Sequence, residues 1–243
     1  MRLRLKKVVK FLDRVTNLVE IIICIFLMLL SIYCLYDAKM LFDSANDSSL
    51  LRYKPGYDQT EKDDREILKE YYVAWLTIND TGIDHPVMQG STNDDFINMD
   101  PYGDYSLSGS IFLDYRNSKD FSDPYNLVYG HHMEHGFMFG ALDKYTDIGF
   151  FKKHRSGTLS VQGNEYAYRI CAVLESDATQ EEIFAPTEID KEEVIDYIKE
   201  NAIHLEEEFM TLSESSQILA LSTCQSPSSI RRTVVIGILI DNR

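Results

Sequence analysis

Charged residues are absent from Ile21 to Tyr36, and Leu18 and Val19 carry the apolar run back across a single Glu20. The 19 residues from 18 to 36, at about 1.5 Å each, make a helix of roughly 28 Å, close to the hydrocarbon thickness of a bilayer. Beyond this run the pattern changes character. Residues 37–62 are polar and mixed and read as a stalk. A first helix is expected over Asp63–Tyr72, followed by short strand-like runs at Ala74–Ile78, Ser110–Asp114, Asn126–Tyr129, Thr158–Gln162, Glu165–Leu174, Ile218–Thr223 and Thr233–Ile240. Gly163-Asn164 marks a two-residue hairpin turn. One long helix interrupts the strands. Asp190 with Glu193 gives it a capping box, and Val194, Ile198, Ala202, Leu205 and Phe209 form its apolar stripe. Many short strands with one substantial helix predict a mostly β fold, a barrel or sandwich with helical insertions.

Charge gives this pattern a direction. Six basic residues (Arg2, Arg4, Lys6, Lys7, Lys10, Arg14) precede Tyr36 against two acidic ones, leaving a net −19 on the remainder of a chain whose total is −15. The domains expected are a basic cytoplasmic head (1–17), a transmembrane helix (18–36), an extracellular stalk (37–62) and a folded extracellular domain (63–243). This is a single-pass protein of the cell membrane with its N-terminus inside and its body outside. A cleaved signal peptide fits less well, because the run exits through Tyr33-Cys-Leu-Tyr-Asp37 without small residues. The acidic body argues against nucleic-acid binding by phosphate neutralisation.

Of the four cysteines, Cys24 and Cys34 lie in the span and Cys171 falls in an apolar strand, where a small buried thiol is expected. Cys171 and Cys224, the two outside the span, make no disulfide framework. Cys224 differs, because it ends Ile218-Leu-Ala-Leu-Ser-Thr-Cys224 where a buried strand meets the polar loop Gln225-Ser-Pro-Ser-Ser229. A nucleophilic thiol needs a base or a charged partner. Of His85, His131, His132, His135, His154 and His204, His131 is placed like Cys224, directly after the strand ending at Gly130. His85, His154 and His204 read as solvated. Arg231 and Arg232 head the last strand, and alternation sends them to opposite faces, so one of them can reach a developing oxyanion.

Leu221-Ser-Thr-Cys224, the Arg-Thr-Val-Val run from Arg232, Leu127-Val-Tyr-Gly-His131 and Gly109-Ser-Ile-Phe-Leu-Asp-Tyr-Arg-Asn117, in this order over about residues 65–243, resemble the sortases, and among them class B. The resemblance implies an eight-stranded sortase-type β-barrel preceded by N-terminal helices. It also implies a cysteine transpeptidase that cleaves the C-terminal sorting signal of surface proteins after Thr through a thioacyl intermediate on Cys224. His131 would exchange the protons, and Arg232 would hold substrate and oxyanion. The acceptor would be an amino group of a peptidoglycan precursor. Gln89-Gly-Ser-Thr-Asn-Asp-Asp-Phe-Ile97 matches a groove-lining segment, making Asn93 and Ile97, with Ser222 and Thr223, the substrate-contact candidates. No cofactor and no metal requirement are implied. Two positions depart from the family pattern. His132 stands where Asn often follows the histidine, and Gln225 stands where an acidic residue often follows the cysteine.

Two readings compete. His131-His-Met-Glu-His135 spells the inverted zinc-protease pattern, with Glu206, Glu207 and Glu208 as a source of a third ligand. That pattern needs a regular helix, which Gly130, Gly136 and Gly140 oppose. A non-catalytic membrane-tethered binding domain would account for the acidic body alone, and no EF-hand pattern accompanies it. A papain-like hydrolase has the opposite chain order of cysteine and histidine.

Overall fold

The computed structural model describes residues 2–57, 65–213, 215–224 and 231–241. Helix α1 spans Arg2–Ala45 and does not break at the edge of the apolar run. Its apolar side chains are exposed, with Phe26 63% and Leu35 72% accessible, and by length and composition it is able to cross a membrane. Thr16 and Ser31 donate their hydroxyls to the carbonyls of Leu12 and Leu27, at 3.0 and 2.8 Å, so neither polar group depends on water.

A second compact unit begins at Ser44, inside the segment expected to be a stalk. A 3-10 helix at Ser48–Tyr53, capped by Asp47, buries Leu50 against Ile67 and Trp75. Lys54 pairs with Asp84 at 2.9 Å, and Asp84 also accepts the Trp75 indole at 2.7 Å. The expected helix over Asp63–Tyr72 does not form among the described residues: 65–71 carry no helix, and Tyr72 already belongs to a strand. Residues 58–64 lie outside the described residues.

Nine strands follow: β1 Tyr72–Ile78, β2 Asp84–Met88, β3 Ile111–Leu113, β4 Tyr125–Gly130, β5 Ser156–Val161, β6 Asn164–Asp177, β7 His204–Leu205, β8 Gln217–Cys224 and β9 Arg231–Asp241. Eight of them run in the order β5-β1-β2-β3-β4-β8-β9-β6 and close through β5–β6 pairing, giving the sortase-type barrel, with β7 appended to β6. β2 and β7 lack a readable alternation and escaped the sequence pattern. β2–β3 and β4–β8 pair in parallel, the other pairs antiparallel. The β5–β6 turn is Gln162-Gly163, one residue earlier than expected, because Val161 pairs with Asn164 and both loop residues take positive φ (50° and 85°).

Between β4 and β5 lie a 3-10 turn at Glu134–Gly136, a second 3-10 helix at Gly140–Thr146, and α2 (Ile148–Lys153). Between β6 and β8 lie α3 (Glu181–Phe184), α4 (Lys191–Asn201) and α5 (Glu207–Met210). The expected single long helix is therefore split. Its stripe is real, since Val194, Ile198 and Phe209 are fully buried in one cluster with Leu127, Ala220, Val234 and Ile236, but Leu205 sits on β7 and Phe209 on α5. Asp190 occupies the N-cap without a side-chain bond, so the capping box is not made. These helices roof one face of β4, β8, β9 and β6. Alternation sends Val128, Leu219, Leu221 and Val235, all fully buried, to the opposite face, the barrel interior.

Candidate active site

Three neighbouring strands bring the sequence-selected positions to one end of the barrel. β4 pairs in parallel with β8 up to Gly130 opposite Thr223, so the next residues, His131 and Cys224, stand level. β8 pairs with β9 so that Cys224 is directly opposite Arg232. Opposed positions of an antiparallel pair lie roughly 4.5–5.5 Å apart at Cα. The expected loop Gln225–Ser229 lies outside the described residues.

His131 and Arg232 line a cavity of about 460 Å³ together with Asn93, Ile97, Phe112, Arg116, Tyr129 and Phe184. His131 donates its Nε2–H to the Ile97 carbonyl at 2.7 Å, which leaves Nδ1 as the basic nitrogen. Burial draws the Arg232 pKa below its ordinary value, opposed by the nearby Tyr129. The neighbouring Arg231 points to solvent and meets Glu175 at 3.4 Å. Of the two arginines, Arg232 is the one at the cavity.

The cavity wall is built around Asp114, a carboxylate with no exposure. Arg116 holds it with Nε and Nη2, both at 2.9 Å, and Asn93 Nδ2 and Tyr129 OH donate to Oδ2 at 2.9 and 3.1 Å. Burial opposes the charge, but the bonds from Arg116 and Asn93 outweigh it and hold the Asp114 pKa below the usual carboxylate range. Burial, with the adjacent Asp114, pushes the Tyr129 hydroxyl well up. Arg116 then crosses to the roof, donating to the Phe184 carbonyl and to Glu188 at 2.9 Å. Asn93 Oδ1 accepts from the Tyr115 amide at 3.0 Å. Asp95 gathers the Ser91 and Thr92 amides at 2.7 and 3.1 Å and so shapes the turn that presents Asn93. Asp114, Arg116 and Tyr129 were given no role from the sequence. The signal was the Asp-x-Arg spacing, which puts two opposite charges on one side of an extended segment.

Ser222 and Thr223 are buried, and neither lines the cavity. Cys171 is buried as expected, and burial raises its thiol pKa to about 11. The solvated reading of three histidines is corrected. His85 is on β2, and burial lowers its pKa to about 4. His154 stacks on Phe150, and His204 bonds the Thr146 carbonyl at 2.8 Å.

The helix required by the zinc-protease pattern is absent. Residues 131–133 are irregular, Glu134–Gly136 is a single 3-10 turn, and His135 has φ 61°. His132 instead meets Asp143 at 2.9 Å, and Glu206 and Glu208 pair with Arg155. Gly130 and Gly140 are what allow this compact excursion. A Cβ on Gly130 would come within 2.8 Å of the Phe139 ring, and one on Gly140 would overlap the Met133 carbonyl.

Comparison with known proteins agrees with this geometry. The sortase domain family model matches residues 76–240. Sortase B of Listeria monocytogenes is 32% identical over 189 residues, 76% of each chain. A Streptococcus pyogenes class B sortase involved in pilus biogenesis has a similar structure, with a TM-score of 0.64 and 36% identity over 70% of this chain and 92% of that one. The Staphylococcus aureus sortase B–substrate complex gives a TM-score of 0.65 and 26% identity over 72% and 82%. With the closed eight-stranded barrel, these matches assign the chain to the sortase family, in its class B branch, as a cysteine transpeptidase.

Proposed function

We propose that the protein is a membrane-anchored sortase that cleaves C-terminal sorting signals after Thr and transfers the surface protein to an amino group of a peptidoglycan precursor. Cys224 is the nucleophile, His131 the proton carrier and Arg232 the oxyanion and substrate holder. The reading is supported by one observation, the strand register that sets positions 131, 224 and 232 level at neighbouring strand ends, two of them, His131 and Arg232, lining one cavity. Cys224 gives its thiol proton to His131 Nδ1, and the resulting thiolate attacks the Thr carbonyl. The negative charge on the tetrahedral oxygen is met by the half-buried Arg232 guanidinium, where exclusion of water strengthens the interaction. With its Nε2–H engaged by Ile97, His131 uses Nδ1 to protonate the departing amine, which leaves a thioester. The acceptor amine then gives its proton back to Nδ1 and displaces sulfur, forming the new amide.

Asn93 and Ile97 contact the bound peptide from the cavity wall. Asn93 keeps one amide hydrogen and one lone pair beyond its bonds to Asp114 and Tyr115. Ser222 and Thr223 act as the buried strand beneath the nucleophile. Helix α1 is the anchor. The six basic residues at its start, before the apolar run, favour a cytoplasmic N-terminus and a barrel outside the cell.

The test is mass spectrometry of the full chain in detergent micelles with peptides carrying Thr–Gly or Thr–Asn bonds, alone and with triglycine as amine. The expected result is an acyl adduct on Cys224 that triglycine discharges, abolished by thiol alkylation and spared by EDTA. Turnover that survives Cys224→Ala overturns the assignment.

A further inference from the structure

His131 and Arg232 are on strands that do not touch, because β8 lies between β4 and β9. Inter-strand spacing is about 4.8 Å. Their relative position therefore depends on whatever spans two spacings, and His131 stands just beyond the last paired residue of β4. The residues that directly follow them supply the link. His132 Nε2 meets Asp143 Oδ2 at 2.9 Å, and Thr233 Oγ1 donates to Asp143 Oδ1 at 2.8 Å. Consecutive residues of an extended segment point to opposite faces. His131 and Arg232 line the cavity, and the single carboxylate of Asp143 ties their successors together on the other side. Thr233 has no exposure, and its position pairs with Thr223, which itself pairs with Gly130, so the link runs behind β8. The chain between the two ends is short and folded onto itself. His131 O accepts the Phe139 amide at 3.0 Å, His132 bridges Met138, and Gly140 starts the 3-10 helix that carries Asp143.

Resting on the roles proposed above for His131 and Arg232, we infer that Asp143 is a positioning residue of the transpeptidase, holding the imidazole and the guanidinium at a fixed separation through His132 and Thr233. The pair with His132 is partly exposed, so its worth as an ion pair is small and its effect is geometric. Misplacing a reacting group by an ångström costs up to about 100-fold in rate.

The experiment measures kcat and KM of the full chain in detergent micelles on quenched fluorescent Thr–Gly and Thr–Asn peptides with triglycine. Rates are normalised to the folded fraction read from the fluorescence of Trp75, so unfolded protein is not counted. Asp143→Ala is expected to lower kcat about 10-fold with KM within about twofold. Thr233→Val, which removes only the hydroxyl, is expected to lower it about threefold, and Thr233→Ser to restore it. Thr233→Val added to Asp143→Ala is expected to cost nothing more, because the shared carboxylate is already gone. Unchanged kcat per folded molecule in Asp143→Ala, or in Thr233→Val where the alanine variant does not fold, overturns the inference. So do fully additive losses, or a Thr233→Ser variant no better than valine. A wild-type protein that turns over neither peptide, or a Cys224→Ala variant that does, instead overturns the assignment of the site.

Discussion

Arg116→Met removes the cation that, among the described residues, pairs with the buried Asp114. The carboxylate has no exposure and keeps only two neutral side-chain donors, Asn93 and Tyr129, with the Arg116 backbone amide at 3.0 Å. Breaking a buried pair by removing one partner costs about 3–5 kcal/mol. The surviving donors place this case near the lower end, about 3 kcal/mol at pH 7. The pH dependence has a definite sign. In the wild type the Asp114 pKa lies below its unfolded value, so its stabilisation is full above about pH 4 and is lost only as pH falls through the depressed value. In the variant, burial without the guanidinium raises the folded pKa above the unfolded one. The native state then binds the extra proton, and the deficit relative to wild type shrinks between pH 7 and pH 5. Urea unfolding of the full chain in detergent micelles, followed through Trp75, the single tryptophan and 1% exposed, reads this directly. A deficit below about 1 kcal/mol at pH 7, or one that grows on acidification, refutes the account of Asp114 as a carboxylate held ionised by Arg116.

Other outcomes follow from the same geometry. Gly130→Ala, with its Cβ against the Phe139 ring, is expected to cost about 1–3 kcal/mol in urea unfolding, and Gly140→Ala more, since the obstacle there is backbone. Burial depresses the His85 pKa to about 4, so neutral His85 stabilises the fold above about pH 6.5, and that contribution is lost as pH falls towards 4. His85→Gln should flatten the stability–pH curve in this window, as urea midpoints at pH 7 and 5 will show. Arg231→Ala, removing an exposed pair at 3.4 Å, is expected to change stability by under about 1 kcal/mol and peptide turnover by less than twofold. Arg232→Ala is expected to reduce kcat/KM by about 100-fold or more.

Much of the barrel was readable because seven of its eight closing strands carry apolar runs bounded by turn residues. β2 was not, since Asp84-His-Pro-Val-Met88 puts a charge, an imidazole and a proline into a strand whose Asp84 carboxylate is met by Lys54, Trp75 and Thr77 from other segments. The apolar stripe from Val194 to Phe209 identified the right buried face and the wrong element, because residues on α4, β7 and α5 cover the same cluster at spacings that imitate a continuous helix. Position in the chain singled out Cys224, His131 and the pair Arg231–Arg232, as strand ends are local features, and the resemblance of the Arg-Thr-Val-Val run chose Arg232. The wall formed by Asp114, Arg116 and Tyr129 required contacts across tens of residues.

The strand order has a consequence for how the enzyme matures. β8 and β9 are made after the other strands of the barrel, yet they are inserted between β4 and β6, leaving those two strands with raw edges until β8 and β9 arrive. A chain still in synthesis therefore carries its imidazole without its sulfur. A product that stops before β8 and β9 lacks the proposed nucleophile and is prone to pairing with itself through the two bare edges.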